Sequence, residues 1–210
     1  MRTLHMDDDG VLEAATSSLR AGEVIVVPTD TVYGVAVLPT LPAAVDGIYA
    51  AKDRPKTHHL PVMAGSLGQV ATLGVHLDQK AKALAEKWWP GPLTLVMGFD
   101  EHEQRPDWLQ DREEVAIRIP DHSFLLSLLR RTGPLLVTSA NQHGSATPPT
   151  AEQAAEELGG WVSLMVDGGT LQTVPSTLVN VRSAAAVVER EGAIARQDVA
   201  AVLDRVGGSK

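Results

Sequence analysis

Three short segments carry residue types able to do chemistry. Pro28-Thr29-Asp30-Thr31-Val32-Tyr33-Gly34 sets two hydroxyls near a carboxylate and a phenol, directly after a β-branched run. Ligands in α/β sheets usually sit at strand ends, although the same residues also fit a turn in which Thr and Asp bond their own backbone. Lys52-Asp53-Arg54-Pro55-Lys56 offers a planar guanidinium fork beside a point charge, a pairing suited to phosphate. By position alone it fits equally well as a charged helix C-terminus favoured by the dipole. Thr138-Ser139-Ala140-Asn141 follows an apolar run and precedes a glycine-containing loop. Its hydroxyls, amide and backbone N–H groups can cradle phosphate or build an ordinary turn.

Other chemistries lack their signatures. There is no Gly-x-x-x-x-Gly-Lys-Ser/Thr loop, no Gly-x-Gly-x-x-Gly after a strand and no Gly-x-Ser-x-Gly elbow, which argues against P-loop NTPases, dinucleotide folds and α/β-hydrolases. The histidines are His5, His58, His59, His76, His102, His122 and His143. None has zinc-ligand spacing, so no protein metal site is expected. Most are expected at the surface, and His58 stands out because it follows the Lys/Arg pair. Trp88-Trp89 is expected to pack core and turn.

The elements that must position these segments follow from periodicity and turn residues. Strands are expected at 23–28, 60–64, 93–97, 115–119, 135–138, 162–166, 177–181 and 186–188. A helix capped by Thr40, with Pro42 in its first turn, should carry Lys52 and Arg54 at its end and present Val45, Ile48 and Tyr49 on one face. Further helices are expected over 78–88, from Pro120-Asp121 to Arg131, from a Thr150/Gln153 capping box to about Gly159, and over 197–206. Trp89-Pro90-Gly91-Pro92 reads as a rigid turn, and 100–113 and 144–150 as loops. Strands and helices mix without strict alternation, which predicts an α/β fold on a twisted sheet of mixed direction.

Bulk properties narrow the function classes. At 210 residues and 44% hydrophobic, the chain suits one α/β domain. It contains no cysteine, which excludes disulfides, thiolate metal sites and a cysteine nucleophile, and fits a reducing compartment. The first nine residues lack an apolar signal region, and no run is long enough for a membrane span, so a cytoplasmic protein is expected. A formal net charge of -8 gives no general attraction to nucleic acid.

Taken in order, the segments resemble the YrdC/TsaC family. The resemblance rests on Pro28-Thr29-Asp30-Thr31-Val32-Tyr33-Gly34, Lys52-x-Arg54-Pro55, Trp89-Pro90-Gly91-Pro92-Leu93-Thr94, Val115-Ala116-Ile117-Arg118-Ile119-Pro120, Thr138-Ser139-Ala140-Asn141 and Pro175-Ser176-Thr177-Leu178-Val179. It covers about residues 18 to 195. It implies a single YrdC-like domain over 1–206, a mixed sheet with flanking helices and a deep concave cavity, and a flexible tail over 207–210. The activity implied is synthesis of threonylcarbamoyl-AMP and pyrophosphate from L-threonine, bicarbonate or CO2, and ATP. Mg2+ is expected with ATP. A separate complex would then transfer the threonylcarbamoyl group to tRNA, and weak contact with RNA is the furthest extension of this expectation.

The resemblance also assigns roles by motif position. Lys52, Arg54, Ser139 and Asn141 match the family's catalytic tetrad. Arg54, His58, Ser139, Thr147 and Arg190 fall at nucleotide-binding positions, with Arg54 and Ser139 on the phosphates. Thr31, Met63, Arg118, Val137 and Ser176 fall at threonine-binding positions, with Arg118 pairing the carboxylate. Three positions depart from the common pattern: His58 stands where the family often has Asn, Met63 where it often has His, and Asp30 where it has Glu. The alternatives are a nucleotide-binding paralogue with another acceptor, a carbamoyltransferase of hydrogenase maturation, and an RNA-binding translation or ribosome-assembly factor. The missing cysteines and additional segments argue against the second, and the negative charge against the third.

Overall fold

A computed structural model of the chain describes residues 1–142 and 144–207. His143 and residues 208–210 of the expected tail lie outside the described residues. Gly207, expected in that tail, belongs to the last helix.

Among the described residues, ten strands form one sheet: β1 Arg2–His5, β2 Ile25–Val27, β3 Gly34–Val37, β4 Val62–Met63, β5 Leu93–Met97, β6 Val115–Arg118, β7 Leu135–Ser139, β8 Leu164–Asp167, β9 Thr177–Asn180 and β10 Val187–Arg190. The helices are α1 Val11–Arg20, α2 Pro42–Ala51, α3 Leu67–Ala71, α4 Gln79–Trp88, α5 Ser123–Thr132, α6 Ala151–Leu158 and α7 Arg196–Gly207. Strand order across the sheet is β1-β8-β2-β3-β7-β4-β6-β5-β9-β10. Parallel pairs (β1/β8, β2/β8, β4/β6, β5/β9) interleave with antiparallel ones, as the mixed element order requires.

Side-chain alternation along the strands builds two unequal layers. Val26, Val35, Val37, Val62, Leu93, Leu95, Met97, Val115, Ile117 and Leu136 point to one face, where residues of α2, α4, α6 and α7 complete the larger core. Ile25, Val27, Ala36, Leu135, Val137, Leu164 and Val166 point to the other, under α1 and α5. That second helical layer reaches only as far as Met63 of β4. Beyond it, the alternate residues of β6, β5 and β9 (Ala116, Arg118, Thr94, Val96 and Leu178) line a cleft instead of a core.

The local starts and stops have identifiable causes. Asp78 caps α4 by accepting from the Ala81 amide at 2.8 Å, and Thr150 caps α6 by accepting from Gln153 N at 3.3 Å. Thr40 is not a cap: Leu41 occupies the N-cap of α2 with no side-chain bond, and Pro42, which has no N–H to satisfy, opens the helix. Similarly, α5 starts at Ser123 rather than at Pro120-Asp121, with His122 Nδ1 accepting from Leu125 N. His122 is thus a half-buried cap and not a surface residue. Two elements, β1 and α1, precede the first expected strand. α1 begins from Gly10 in a left-handed conformation (φ 79°) with no side-chain cap, so Glu13 in its first turn is a lone start signal.

Candidate functional site

The cleft has a volume of about 440 Å³ and lies where the sheet has no second helical layer. Its walls come from the turn after β2, the segment after α2, the end of β7, and the stretch from Pro175 to Arg190.

Arg118, at the end of β6, forms the floor and is 3% exposed. Its Nε donates to the Gly91 carbonyl at 3.0 Å and Nη1 to Thr31 Oγ1 at 2.8 Å. Nη2 lies 2.7 Å from Asp30 Oδ1 as an ion pair, yet neither atom achieves hydrogen-bond geometry with any partner. Burial pulls the guanidinium pKa below its ordinary value, with Asp30 opposing the shift. A guanidinium on a cleft floor, held in place by Asp30, Thr31 and the Gly91 carbonyl, suits an incoming carboxylate, whose oxygens accept in the plane of the fork.

Thr31 is held from beneath. Thr29 Oγ1 donates to the Val32 carbonyl and accepts from the Thr31 and Val32 amides, so the turn expected from local bonding exists and also delivers Thr31 to the cleft. Tyr33, in the same segment, points away. Its hydroxyl donates to the Gly169 carbonyl at 2.6 Å and accepts from Gly168 N, and burial pushes its pKa up to about 12.

On the far wall, Ser176 Oγ pairs with Thr94 Oγ1 at 2.8 Å. Arg190 donates from Nε and Nη2 to the Ser176 carbonyl, at 3.2 and 2.9 Å. Burial lowers the Arg190 pKa, and the nearby charge of Arg118 adds to the shift. Close packing brings these residues together: a Cβ on Gly192 would lie 2.2 Å from the Pro175 carbonyl oxygen and 2.7 Å from Ser176 C. Thr177 Oγ1 holds that strap, accepting from Gly192 N and Ile194 N and donating to the Ile194 carbonyl.

At the opposite end, Arg54 follows Asp53, whose φ of 47° turns the chain out of α2. Arg54 donates to the carbonyls of His58 and His59 at 2.9 and 3.2 Å and faces the cleft with both histidines and Ser139. Burial lowers the pKa of Arg54 and of His59, the latter helped by the charge of Arg112.

The cleft therefore gathers Thr31, Arg54, His58, Met63, Arg118, Val137, Ser139, Ser176 and Arg190. Lys52, Asn141 and Thr147 do not line it. Lys52 is 2% exposed and its ammonium is spent on the carbonyls of Ser139 and Asn141; burial, then the charge of Arg54, push its pKa down to about 8. Thr147 faces a separate open depression beside Gln142 and Glu157, because Leu171 N donates to the Pro149 carbonyl and ties that loop back. Thr29, of the first chemistry-bearing segment, also lines the cleft, as do Thr94, His59, Glu114 and Glu189, to which the sequence assigns no role. Thr94 had a signal: it is the one polar residue in the strand Leu93–Met97.

Known proteins resemble the chain over most of its length. A family model for Sua5, YciO and YrdC proteins, described as telomere recombination, matches residues 17–192. A threonylcarbamoyl-AMP synthase of Bacillus subtilis is 36% identical over 93% of the chain, which spans 57% of that protein. A putative threonylcarbamoyl-AMP synthase of Mycobacterium tuberculosis is 34% identical over 90% of the chain, and 88% of its own length is covered. The solved structure of Pyrococcus abyssi Sua5 complexed with L-threonine superposes with a TM-score of 0.83 at 31% identity, covering 91% of the chain and 57% of that structure.

Proposed function

The chain belongs to the Sua5/YciO/YrdC family, and we propose that it makes threonylcarbamoyl-AMP and pyrophosphate from L-threonine, bicarbonate or CO2, and ATP. The observation that carries this reading is Arg118: a buried guanidinium, ion-paired to Asp30 and bonded to Thr31, on a cleft floor, in one cleft with Ser176, Arg190, Arg54 and Ser139.

The arrangement suits the chemistry. A carboxylate and a triphosphate repel each other, and fixed arginines offset that repulsion while holding the groups in line. The amino acid sits with its carboxylate on Arg118 and its polar groups against Thr31 and Ser176, over the apolar wall of Met63 and Val137. The triphosphate lies toward Arg54, His58 and Ser139, with Arg190 meeting the nucleotide from the Ser176 wall. The threonine amine first attacks the carbon of CO2 and gives up a proton, or attacks that of bicarbonate with loss of water, to form a carbamate. A carbamate oxygen then attacks the α-phosphorus of ATP; the new P–O bond forms as the bond to the β-phosphate oxygen breaks, and pyrophosphate leaves. Mg2+ enters with ATP, held mainly by phosphate and water oxygens.

The product would serve a downstream complex that modifies tRNA. The enzyme itself would act in the cytoplasm and touch RNA weakly, given its charge of -8. Among the described residues, no helix is long and apolar enough to cross a membrane. The test is pyrophosphate release from ATP and bicarbonate with and without L-threonine, on wild type and Arg54→Ala. Threonine-dependent release that collapses in the variant is expected. ATP binding without any threonine-dependent release would instead favour a paralogue with another acceptor, whose pocket would be shaped by His58 and Met63.

A further inference from the structure

Two buried side chains decide which way one cleft hydroxyl points. Asn141 Nδ2 donates to the Ser145 carbonyl at 2.6 Å. At its other end, Asn141 Oδ1 lies 3.4 Å from the Lys52 ammonium, which also donates to the Ser139 carbonyl at 2.6 Å and to the Asn141 carbonyl. Reversing the amide would set its NH2 against an ammonium and its oxygen against a carbonyl, so the orientation is determined from both sides. Oδ1 can only accept. Its 2.6 Å contact with Ser139 Oγ is therefore a bond that Ser139 donates. A serine hydroxyl has one hydrogen. With that hydrogen turned inward, Ser139 shows the cleft lone pairs only. Lys52 and Asn141 are 2% and 7% exposed, so water does not compete for these positions.

A phosphate oxygen also offers only lone pairs and gains nothing from such a group. A hard cation gains an oxygen ligand. We propose that Ser139 Oγ takes the Mg2+ that accompanies ATP, instead of giving a hydrogen to a phosphate, and that Asn141 and Lys52 are positioning residues that hold it in that state. The proposal rests on the ATP reading above and replaces the direct Ser139–phosphate contact expected from the family resemblance. Arg54, on the same wall, is left as the direct phosphate donor.

The experiment measures ATP affinity by calorimetry in Mg2+ and in EDTA. Ser139→Ala should weaken Mg–ATP by roughly tenfold, the worth of about one such ligand, and leave metal-free ATP within about twofold. Asn141→Leu, which releases the Ser139 hydrogen, should shrink the ratio of the two affinities, whereas Asn141→Asp, which keeps an acceptor there, should restore it. A merely structural role for Asn141 would lower both affinities together and leave the ratio unchanged. Equal losses for Ser139→Ala in Mg2+ and EDTA, or no loss in either, would overturn the proposal while leaving the ATP reading intact. Wild-type protein that binds ATP under neither condition would overturn both. Should Asn141→Leu not fold, the Ser139→Ala ratio alone decides.

Discussion

The two halves of the sheet share one face and one alternation rule but end in opposite environments. Under α1 and α5, the residues that alternate onto this face are Ile25, Val27, Ala36, Leu135, Leu164 and Val166, all apolar and buried. Past Met63 the helical layer stops, and the same face presents Thr94, Ala116, Arg118 and Leu178. A strand needs apolar side chains where another element will cover it. Where the face is left open as a cleft, the strand holds a buried cation, Arg118. One half of the face is thus core and the other an open cleft, to which the proposed function assigns binding, with Met63 and Val137 at the border belonging to both.

Arg118→Ala attacks the open half directly and should have the largest effect. It leaves the Asp30 carboxylate buried without its counter-charge, a loss of about 3–5 kcal/mol for a broken buried pair, and threonine-dependent pyrophosphate release should fall by at least about a hundredfold. Thermal unfolding and steady-state kinetics read the two effects. Leu128→Ala attacks the covered half. It should cost about 3 kcal/mol in unfolding free energy, as expected for a fully buried leucine, while threonine affinity in the folded protein stays within about twofold. A matching loss of affinity would mean that the halves are not separable.

Gly192→Ala should sharpen the contrast at smaller scale. Its Cβ would collide with the backbone of Pro175 and Ser176, which must shift at a cost of about 2 kcal/mol. Since Ser176 and Arg190 move with that strap, the KM for threonine should rise by about tenfold, more than the change in stability alone would produce. A stability loss with unchanged KM would separate the strap from the site.

Lys52 supplies the subtlest test. Burial holds its folded-state pKa near 8, against 10.5 ordinarily. Between these values the unfolded chain binds the extra proton, so this group makes the fold more stable as pH rises from 8 to about 10.5. Over the same window the ammonium loses its charge-assisted hold on the carbonyls of Ser139 and Asn141, and ATP affinity should fall. Stability and affinity should therefore move in opposite directions with pH, and in Lys52→Met the stability component of that slope should disappear.

Legibility followed the strength of local signals. β5 was readable to the residue because Pro92 and Gly98 bound an apolar run, and α4 because Asp78 caps it. The helix α1 was not, because Gly10 offers no side chain to mark its start, and β3 was not, because Gly34–Val37 is short and lies behind a turn. Within the site, the ordered motifs name most of the residues that meet; Thr94 stands inside a motif without a role, and Thr147, at a nucleotide-binding position by resemblance, lines a separate depression.

By itself, the sequence determined the periodicities, the absence of thiol chemistry and the identity of the groups available for catalysis, because these depend on residue type and near neighbours. Only the tertiary structure decided which groups meet. Thr31 and Arg118 are 87 residues apart, as are Lys52 and Ser139, and they come together because the chain inserts β4 between β7 and β6 and ends α1 and α5 short of the far strands. Whether a side chain becomes a ligand-facing group or an internal brace depends on which atoms surround it. For Lys52 and Ser139, that is set by packing between segments distant in sequence, which no local spacing records.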